Sequence, residues 1–270
     1  DGFDTLSREE YTYADGFYYF NDPHDRKFAG FGRVETKDAE ENITQTYFHQ
    51  GNTTDSANGE YSDHISKAGK PYRIEKYDDN ENLFSKTINK WDRYDLGNGA
   101  SFVKLIDSVA FAYDGDSDHK ERALRFSYND STGNLSQKIE YGEVSGSDNG
   151  TFSDLGSDKF TTNITYATST ATTTPAFYRL SKEETVDQGS TKVREKKFYY
   201  DTLSFGLASK GNKTKEEHWK GASNYIDFEK TYNNYGLVTQ EKDPRDKITT
   251  YSYDTFNLYP ATTTNPLSQP

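Results

Sequence analysis

A short unit recurs along this chain: a tyrosine, then polar turn-forming residues that begin with Asp or Asn, and then a leucine. A Gly or an Asn stands immediately before the Leu or one residue earlier. The Asp or Asn side chain can hydrogen-bond to nearby backbone N–H groups, and Gly or Asn tolerates the positive φ of a tight reversal. Each unit therefore predicts a β-hairpin. The units begin at Tyr77, Tyr128, Tyr200, Tyr232 and Tyr253.

The repeat positions have two interpretations. Tyr offers an apolar face and a polar tip, so the tyrosines could form a platform for a carbohydrate or a peptide. Cross-strand pairing favours the other interpretation, in which they pack on neighbouring strands as a ladder and are structural. The predicted structural positions are Tyr77, Asp78, Tyr128, Gly133, Tyr200, Asp201, Gly206, Tyr232, Gly236, Tyr253 and Asp254.

Composition also favours strands over helices. Hydrophobic residues make up 31% of the chain and aromatic residues 15%, and Thr is abundant. Aromatic and β-branched residues suit a half-buried pleated surface. We expect an all-β fold of antiparallel hairpin repeats forming a curved, twisted sheet, with residues 1–270 as one segment. Spacing between units is irregular, which disfavours a β-propeller and predicts insertions at 52–70, 114–122, 142–159 and 167–175.

Charge and residue usage exclude several function classes. A net charge of −12 without a basic patch argues against a nucleic-acid partner. No run approaches the roughly 18 apolar residues of a membrane-spanning helix. The absence of Cys excludes disulfides and thiolate zinc sites. Because the chain lacks Met and begins without a signal-like stretch, we interpret it as an internal fragment of a larger protein.

No motif in the chain predicts catalysis, a cofactor or a metal. There is no Gly-x-Ser-x-Gly elbow and no His-Glu-x-x-His helix. Asp114, Asp116 and Asp118 match the first positions of a calcium loop, but His119 replaces the required Gly and Arg125 the final Glu, so a solvated acidic loop is favoured. We expect a non-enzymatic chain without ligating histidines. The histidines stand alone at His24, His49, His64, His119 and His218.

Two segments resemble a known family. Residues 28–35, FAGFGRVE, with Tyr18, Asp22-Pro23 and Arg26 before them, resemble a signature of the B component of insecticidal Tc toxin complexes and of SpvB-like virulence proteins. Residues 235–244 and 249–254 resemble the YD repeats of RHS proteins. The resemblance implies a β-sheet that spirals into a hollow shell around a toxic C-terminal polypeptide. Asp243-Pro244 lacks the Gly that usually follows, and the family's self-cleaving protease region has no counterpart here.

The resemblance therefore implies a structural scaffold in a secreted or cell-surface bacterial protein. Its partners would be the remainder of the parent shell and the encapsulated polypeptide, with self-association through sheet edges as a further possibility. The alternative is an extracellular adhesin or carbohydrate-binding β module. Loop aromatics such as Trp91 or Trp219 would then carry the ligand.

Overall fold

The computed structural model describes residues 8–115, 117–170 and 178–267, and it is all-β. Its strands are joined as antiparallel hairpins, which confirms the predicted fold class. The chain divides into two compact units, unit 1 at Asp1–Lys159 and unit 2 at Phe160–Pro270. Within the described ranges, no helix has the length and apolar character needed to cross a membrane.

In unit 1 each strand pairs antiparallel with the next one in sequence. Two single 3₁₀ turns, Ser56–Asn58 and Ile65–Lys67, interrupt the long connection after the third strand. The strands are β1 Glu10–Phe20, β2 Arg26–Lys37, β3 Ile43–Phe48, β4 Pro71–Tyr77, β5 Leu83–Gly97, β6 Ala100–Tyr113, β7 His119–Tyr128, β8 Leu135–Gly146 and β9 Phe152–Asp154.

Unit 2 repeats this pattern with one exception. Its fourth strand, of two residues, runs parallel to the first, so the third strand pairs with the fifth. The other neighbours are antiparallel. The strands are β10 Phe160–Ser169, β11 Arg179–Val186, β12 Lys192–Tyr200, β13 Leu207–Ala208, β14 Lys213–Gly221, β15 Asn224–Tyr232, β16 Val238–Lys242, β17 Ile248–Tyr253 and β18 Pro260–Thr264.

The predicted insertions are only partly loops. Residues 52–70 contain no strand, as expected. Residues 114–122 already include the start of β7, and 142–159 include the end of β8 and all of β9. Residues 167–169 belong to β10, and 171–175 lie outside the described residues. The strands therefore extend further into the polar segments than composition indicates, because cross-strand pairing overrides local turn preference.

Each unit has a small apolar core made from one face of its strands. Alternation along a strand brings Val109 and Phe111 of β6 to the same face, where they pack with Ile88 of β5 and Val144 of β8. In unit 2 a smaller cluster forms around Phe198 and Tyr200 of β12. Cores of this size leave much of the cohesion to hydrogen-bonded strands and cross-strand side-chain pairs.

Candidate functional site

The turn at Asp78 shows how the hairpins close. Its Oδ1 accepts hydrogen bonds from the backbone N–H of Asn80 at 3.0 Å and of Asn82 at 2.7 Å. Its own N–H donates to the Asn82 carbonyl at 3.0 Å, and the N–H of Glu81 donates to the Asp78 carbonyl at 3.1 Å. One Asp thus satisfies most of the polar backbone groups of the reversal.

Some turns that the repeat beginning with Tyr did not predict have the same backbone bonds. In each of them the N–H of the fifth residue also donates to Oδ1 of the first residue. The residue before each of these turns is Lys or Val in place of Tyr. The turn beginning at Asn233 is also of this type, and those at Asn129 and Asp254 are one residue longer. The Asx residue, rather than the Tyr, therefore defines the turn. The additional turns begin at Asp38, Asp187 and Asp243.

A positive φ falls on the fourth residue of each five-residue turn. Among the five-residue turns that begin with Asp or Asn in the described ranges, Gly occupies it only at Gly236, with φ 79°. At Glu81 φ is 64°, and at Asp246 φ is 60°. The expectation that Gly or Asn takes this conformation is therefore wrong for the turn at Asp78. The surrounding hydrogen bonds hold the backbone in place at a cost of roughly 1–2 kcal/mol for a residue with a Cβ.

The repeat tyrosines are buried or half-buried. Three of them donate their hydroxyl to the carbonyl of a residue near the start of the preceding antiparallel partner strand: Tyr200 to Leu180 at 2.8 Å, Tyr232 to Lys213 at 2.8 Å and Tyr253 to Val238 at 2.7 Å. Each such tyrosine ties the end of one strand to the beginning of its neighbour. Tyr77 instead bonds Glu75, and Tyr128 packs edge-on against Phe102.

The Tyr200 unit departs from the predicted tight hairpin. A loop at 201–212 separates β12 from β14, and Gly206, with φ 84°, precedes β13 within it. The Asp201 carboxylate accepts the backbone N–H groups of Ser209, Lys210, Gly211 and Asn212 at 2.8–3.0 Å. Burial alone would raise the pKa of Asp201, but these bonds outweigh it and lower the pKa.

The FAGFGRVE segment lies in β2, at a bulge opposite β1. Gly30 has φ 91°, and a Cβ on Gly32 would come within 2.9 Å of Gln50 Oε1. The buried Gln50 side chain donates to the carbonyls of Asp15 at 2.7 Å and Gly30 at 2.9 Å. Gly32 thus makes room for Gln50, which fastens the long loop at 49–70 to the β1–β2 hairpin.

Next to Gln50, three side chains converge inside this loop. His49 Nδ1 lies 2.9 Å from Glu60 Oε1 and 2.9 Å from Asp63 Oδ1. The side chains of His49 and Asp63 are fully buried and that of Glu60 is 4% exposed. Within 8–115, 117–170 and 178–267, this is the one group of three His or carboxylate side chains whose ligand atoms lie close enough to share a metal ion.

The electrostatics of the cluster are set by its two carboxylates. Burial alone would lower the pKa of His49, but the hydrogen bonds to Asp63 and Glu60 raise it. Burial is also the main cause of the raised pKa of Tyr72, with the negative charge of Glu60 second. Lys67 is buried nearby, and its Nζ donates to the backbone carbonyls of residues 61 and 62 at 2.7 and 2.6 Å.

Sequence reasoning did not find this cluster. Its members are separated along the chain and match no ligand motif, and His49 was expected to be a solitary histidine. The only available signal was that all three lie in or beside the predicted insertion at 52–70. The acidic loop that partly matches a calcium-loop pattern differs from this cluster. Asp114 and Asp118 are exposed, and Asp116 lies outside the described residues.

The tryptophans are not loop residues. Trp91 lies in β5, half-buried, with its indole N–H donating to the Pro71 carbonyl at 2.9 Å. Trp219 lies in β14, half-buried, and donates to the Ala222 carbonyl at 2.9 Å. Placing them in ligand-binding loops was wrong, because strand alternation turns both rings against neighbouring side chains.

Comparison with known proteins identifies the fold. No protein-family description matches the sequence, and no curated protein matches it. Solved structures of TcdB2-TccC3 superimpose on 97% of the chain with a TM-score of 0.60 at 12% identity, and TcdB2-TccC3 without its hypervariable C-terminal region gives 0.61 at 13%. The chain spans about a fifth of the length of those chains. The antiparallel hairpin fold is shared with TcdB2-TccC3.

Proposed function

We propose that this chain is a structural segment of a hollow β-shell of the RHS/YD-repeat type, which encapsulates a toxin or effector polypeptide within a larger secreted bacterial protein. The observation that carries the proposal is the likeness to TcdB2-TccC3 along 97% of the chain. The resemblance of residues 28–35 and 235–254 to Tc toxin B components and RHS repeats supports the same conclusion.

In this proposal the chain acts as a wall and not as an enzyme. Consecutive strands share continuous backbone hydrogen bonds, which give proteases few extended segments to bind. Cross-strand pairs add cohesion on the polar side: Lys230 pairs with Glu241, and Tyr199 donates to Glu217 at 2.9 Å. Such a wall confines cargo without specific contacts to cargo side chains.

The direct test is the structure of the parent protein by electron cryomicroscopy. We expect β1–β18 to form part of a closed wall around density for a second polypeptide segment. An image in which this chain projects into solvent as a separate module, with both of its faces exposed, would overturn the proposal.

A fragment of such a wall has strand edges that the rest of the parent would cover. β1 pairs with β2, and it carries exposed aromatic side chains at Tyr11, Tyr13 and Tyr18. We therefore expect the isolated chain to self-associate as its concentration rises. Light scattering that shows a monomer over a wide concentration range would contradict this part of the proposal.

A carbohydrate-binding module is the second candidate, because some turn aromatics are strongly exposed. Tyr235 is 74% exposed and Phe256 is 79% exposed. Saturable binding on a glycan array that is lost in Tyr235→Ala or Phe256→Ala would favour the module. Trp219→Ala, which removes a half-buried strand residue, is the matched control.

A further inference from the structure

We propose that His49, Glu60 and Asp63 form a binding site for a divalent transition-metal ion of the Zn²⁺ class, which clamps the loop at 49–70. The ligand set is one imidazole nitrogen and two carboxylate oxygens. Imidazole suits Zn²⁺ and neighbouring metals, and the same metals accept Asp and Glu oxygens.

The distances fit a shared ion. His49 Nδ1 lies 2.9 Å from one oxygen of each carboxylate. Two ligand atoms that are each about 2.1 Å from one ion are about 3 Å apart at right angles and about 3.4 Å apart in the tetrahedral arrangement that Zn²⁺ prefers. The three atoms can therefore occupy adjacent positions around one metal with small adjustments, which leaves other positions for water.

The loop backbone holds both carboxylates in the orientation that binding needs. Asp63 Oδ2 accepts the N–H groups of Gly51 at 2.7 Å and Asn52 at 2.8 Å, and Glu60 Oε2 accepts the N–H of Asp55 at 2.7 Å. Each carboxylate thus uses its outer oxygen for the backbone and presents its inner oxygen to His49. Outer bonds of this kind are what orient metal-ligating carboxylates in proteins.

Hydrogen bonding alone leaves the cluster incompletely satisfied. Nδ1 carries at most one hydrogen, yet two carboxylate oxygens face it. The His49 side chain is fully buried, and its Nε2 has no hydrogen-bond partner. A protonated ring would therefore bury a charged N–H without an acceptor, which is costly. A metal ion at Nδ1 would satisfy both carboxylates and leave the ring neutral, so the buried Nε2–H would carry no charge beside the Tyr72 ring, whose centroid lies 5.4 Å from that of His49.

Binding would have a structural consequence. Gln50, the neighbour of His49, holds the β1–β2 bulge, so an ion bound by His49, Glu60 and Asp63 fixes the middle of the loop relative to that hairpin. The ion would stabilise the folded chain by the free energy of its binding, since the unfolded chain does not present the three ligands together.

The test uses the full chain after dialysis against EDTA and then metal-free buffer, with Zn²⁺ as the probe. We expect calorimetry to give one Zn²⁺ per chain and thermal unfolding to shift upward on addition of Zn²⁺. Glu60→Gln and His49→Gln should weaken binding by at least about 100-fold. Glu143→Gln and Asp130→Asn, which change exposed carboxylates in unit 1, should leave it unchanged.

A measurement on the unmodified chain guards against variants that fail to fold. X-ray absorption of the Zn²⁺ complex should show one imidazole nitrogen with oxygen ligands and no additional imidazole. Absence of Zn²⁺ binding by the unmodified chain, binding that survives both ligand substitutions, or a spectrum without imidazole would each overturn the proposal.

Discussion

Two long loops among the described residues, 49–70 in unit 1 and 201–212 in unit 2, interrupt hairpins in different ways. In loop 201–212 a single carboxylate, that of Asp201, gathers four successive backbone N–H groups. In loop 49–70 two buried carboxylates gather three N–H groups and also face the ring of His49.

The difference separates the carboxylate oxygens that the loop backbone needs as hydrogen-bond acceptors from the carboxylate oxygens that remain available to a ligand. Asp201 shows that one acid suffices to satisfy the backbone of an insertion in this fold. Glu60 and Asp63 each leave an oxygen that the backbone does not use, and both of those oxygens point to His49. The Asp201 oxygens accept backbone N–H groups and the Ser209 hydroxyl, whereas the His49 cluster has ligand capacity that the turn does not require.

The largest effect is expected from removing an acid of the His49 cluster. Asp63→Ala should cost about 3–5 kcal/mol of the unfolding free energy of unit 1, because it leaves a buried partner and two N–H groups without their acceptor. Urea unfolding in a Trp219→Phe background, where Trp91 reports on unit 1, measures it.

Glu143→Ala is the matched control for that substitution, since its carboxylate pairs with Lys120 and both side chains are exposed. It should cost no more than about 1 kcal/mol. Equal losses for the two variants would remove the distinction between the His49 cluster and an ordinary surface ion pair.

Asp201→Ala should have the next largest effect, a loss of about 2–3 kcal/mol in unit 2. The cause is the loss of a charged acceptor shared by four backbone N–H groups. A Trp91→Phe background leaves Trp219 to report on unit 2. Asp254→Ala removes hydrogen bonds within a short turn and opens no long loop, so it should cost only about 1 kcal/mol. A larger loss of stability in Asp254→Ala than in Asp201→Ala would show that loop 201–212 is not held by Asp201.

Acid should weaken unit 2 through Asp201. The pKa of this carboxyl is lowered in the folded chain, so its stabilisation is present above the unfolded pKa of about 4 and is lost as the pH falls through the lower, folded value. As the pH falls below about 5, the unfolding free energy should fall more steeply in the unmodified chain than in Asp201→Asn. Parallel pH profiles would contradict this role.

The smallest effects concern the tight turns. Glu81→Gly should stabilise unit 1 by about 0.5–1 kcal/mol, because Gly takes the positive φ without a Cβ penalty. Gly236→Ala should destabilise unit 2 by about 1 kcal/mol, because Ala adopts the positive φ less readily than Gly. A steric clash does not add to this cost, since an added Cβ meets nothing closer than 3.4 Å. Urea midpoints of the two variants measure both changes, and a loss of stability in Glu81→Gly would show that strain is not the dominant effect at that turn.

The fold was largely predictable from local patterns, and the candidate site was not. Asp78, Asn129 and Asn233 sit in reversals because their side chains bond the next few residues, which is visible in sequence. The repeat that begins with Tyr does not predict the turn at Asp243, because Lys242 precedes this turn. The open loop after Tyr200 was mistaken for a hairpin because Asp201 bonds residues about ten positions away.

The amino-acid sequence by itself determined the strands and most of their reversals, since alternation and Asx turns act over a few residues. Only the tertiary structure decided that His49 faces Glu60 and Asp63, and that Gln50 fills the space left by Gly32. These contacts join residues separated along the chain. Their energy comes from burial of polar groups together, which exists only once the loop has folded against the β1–β2 hairpin.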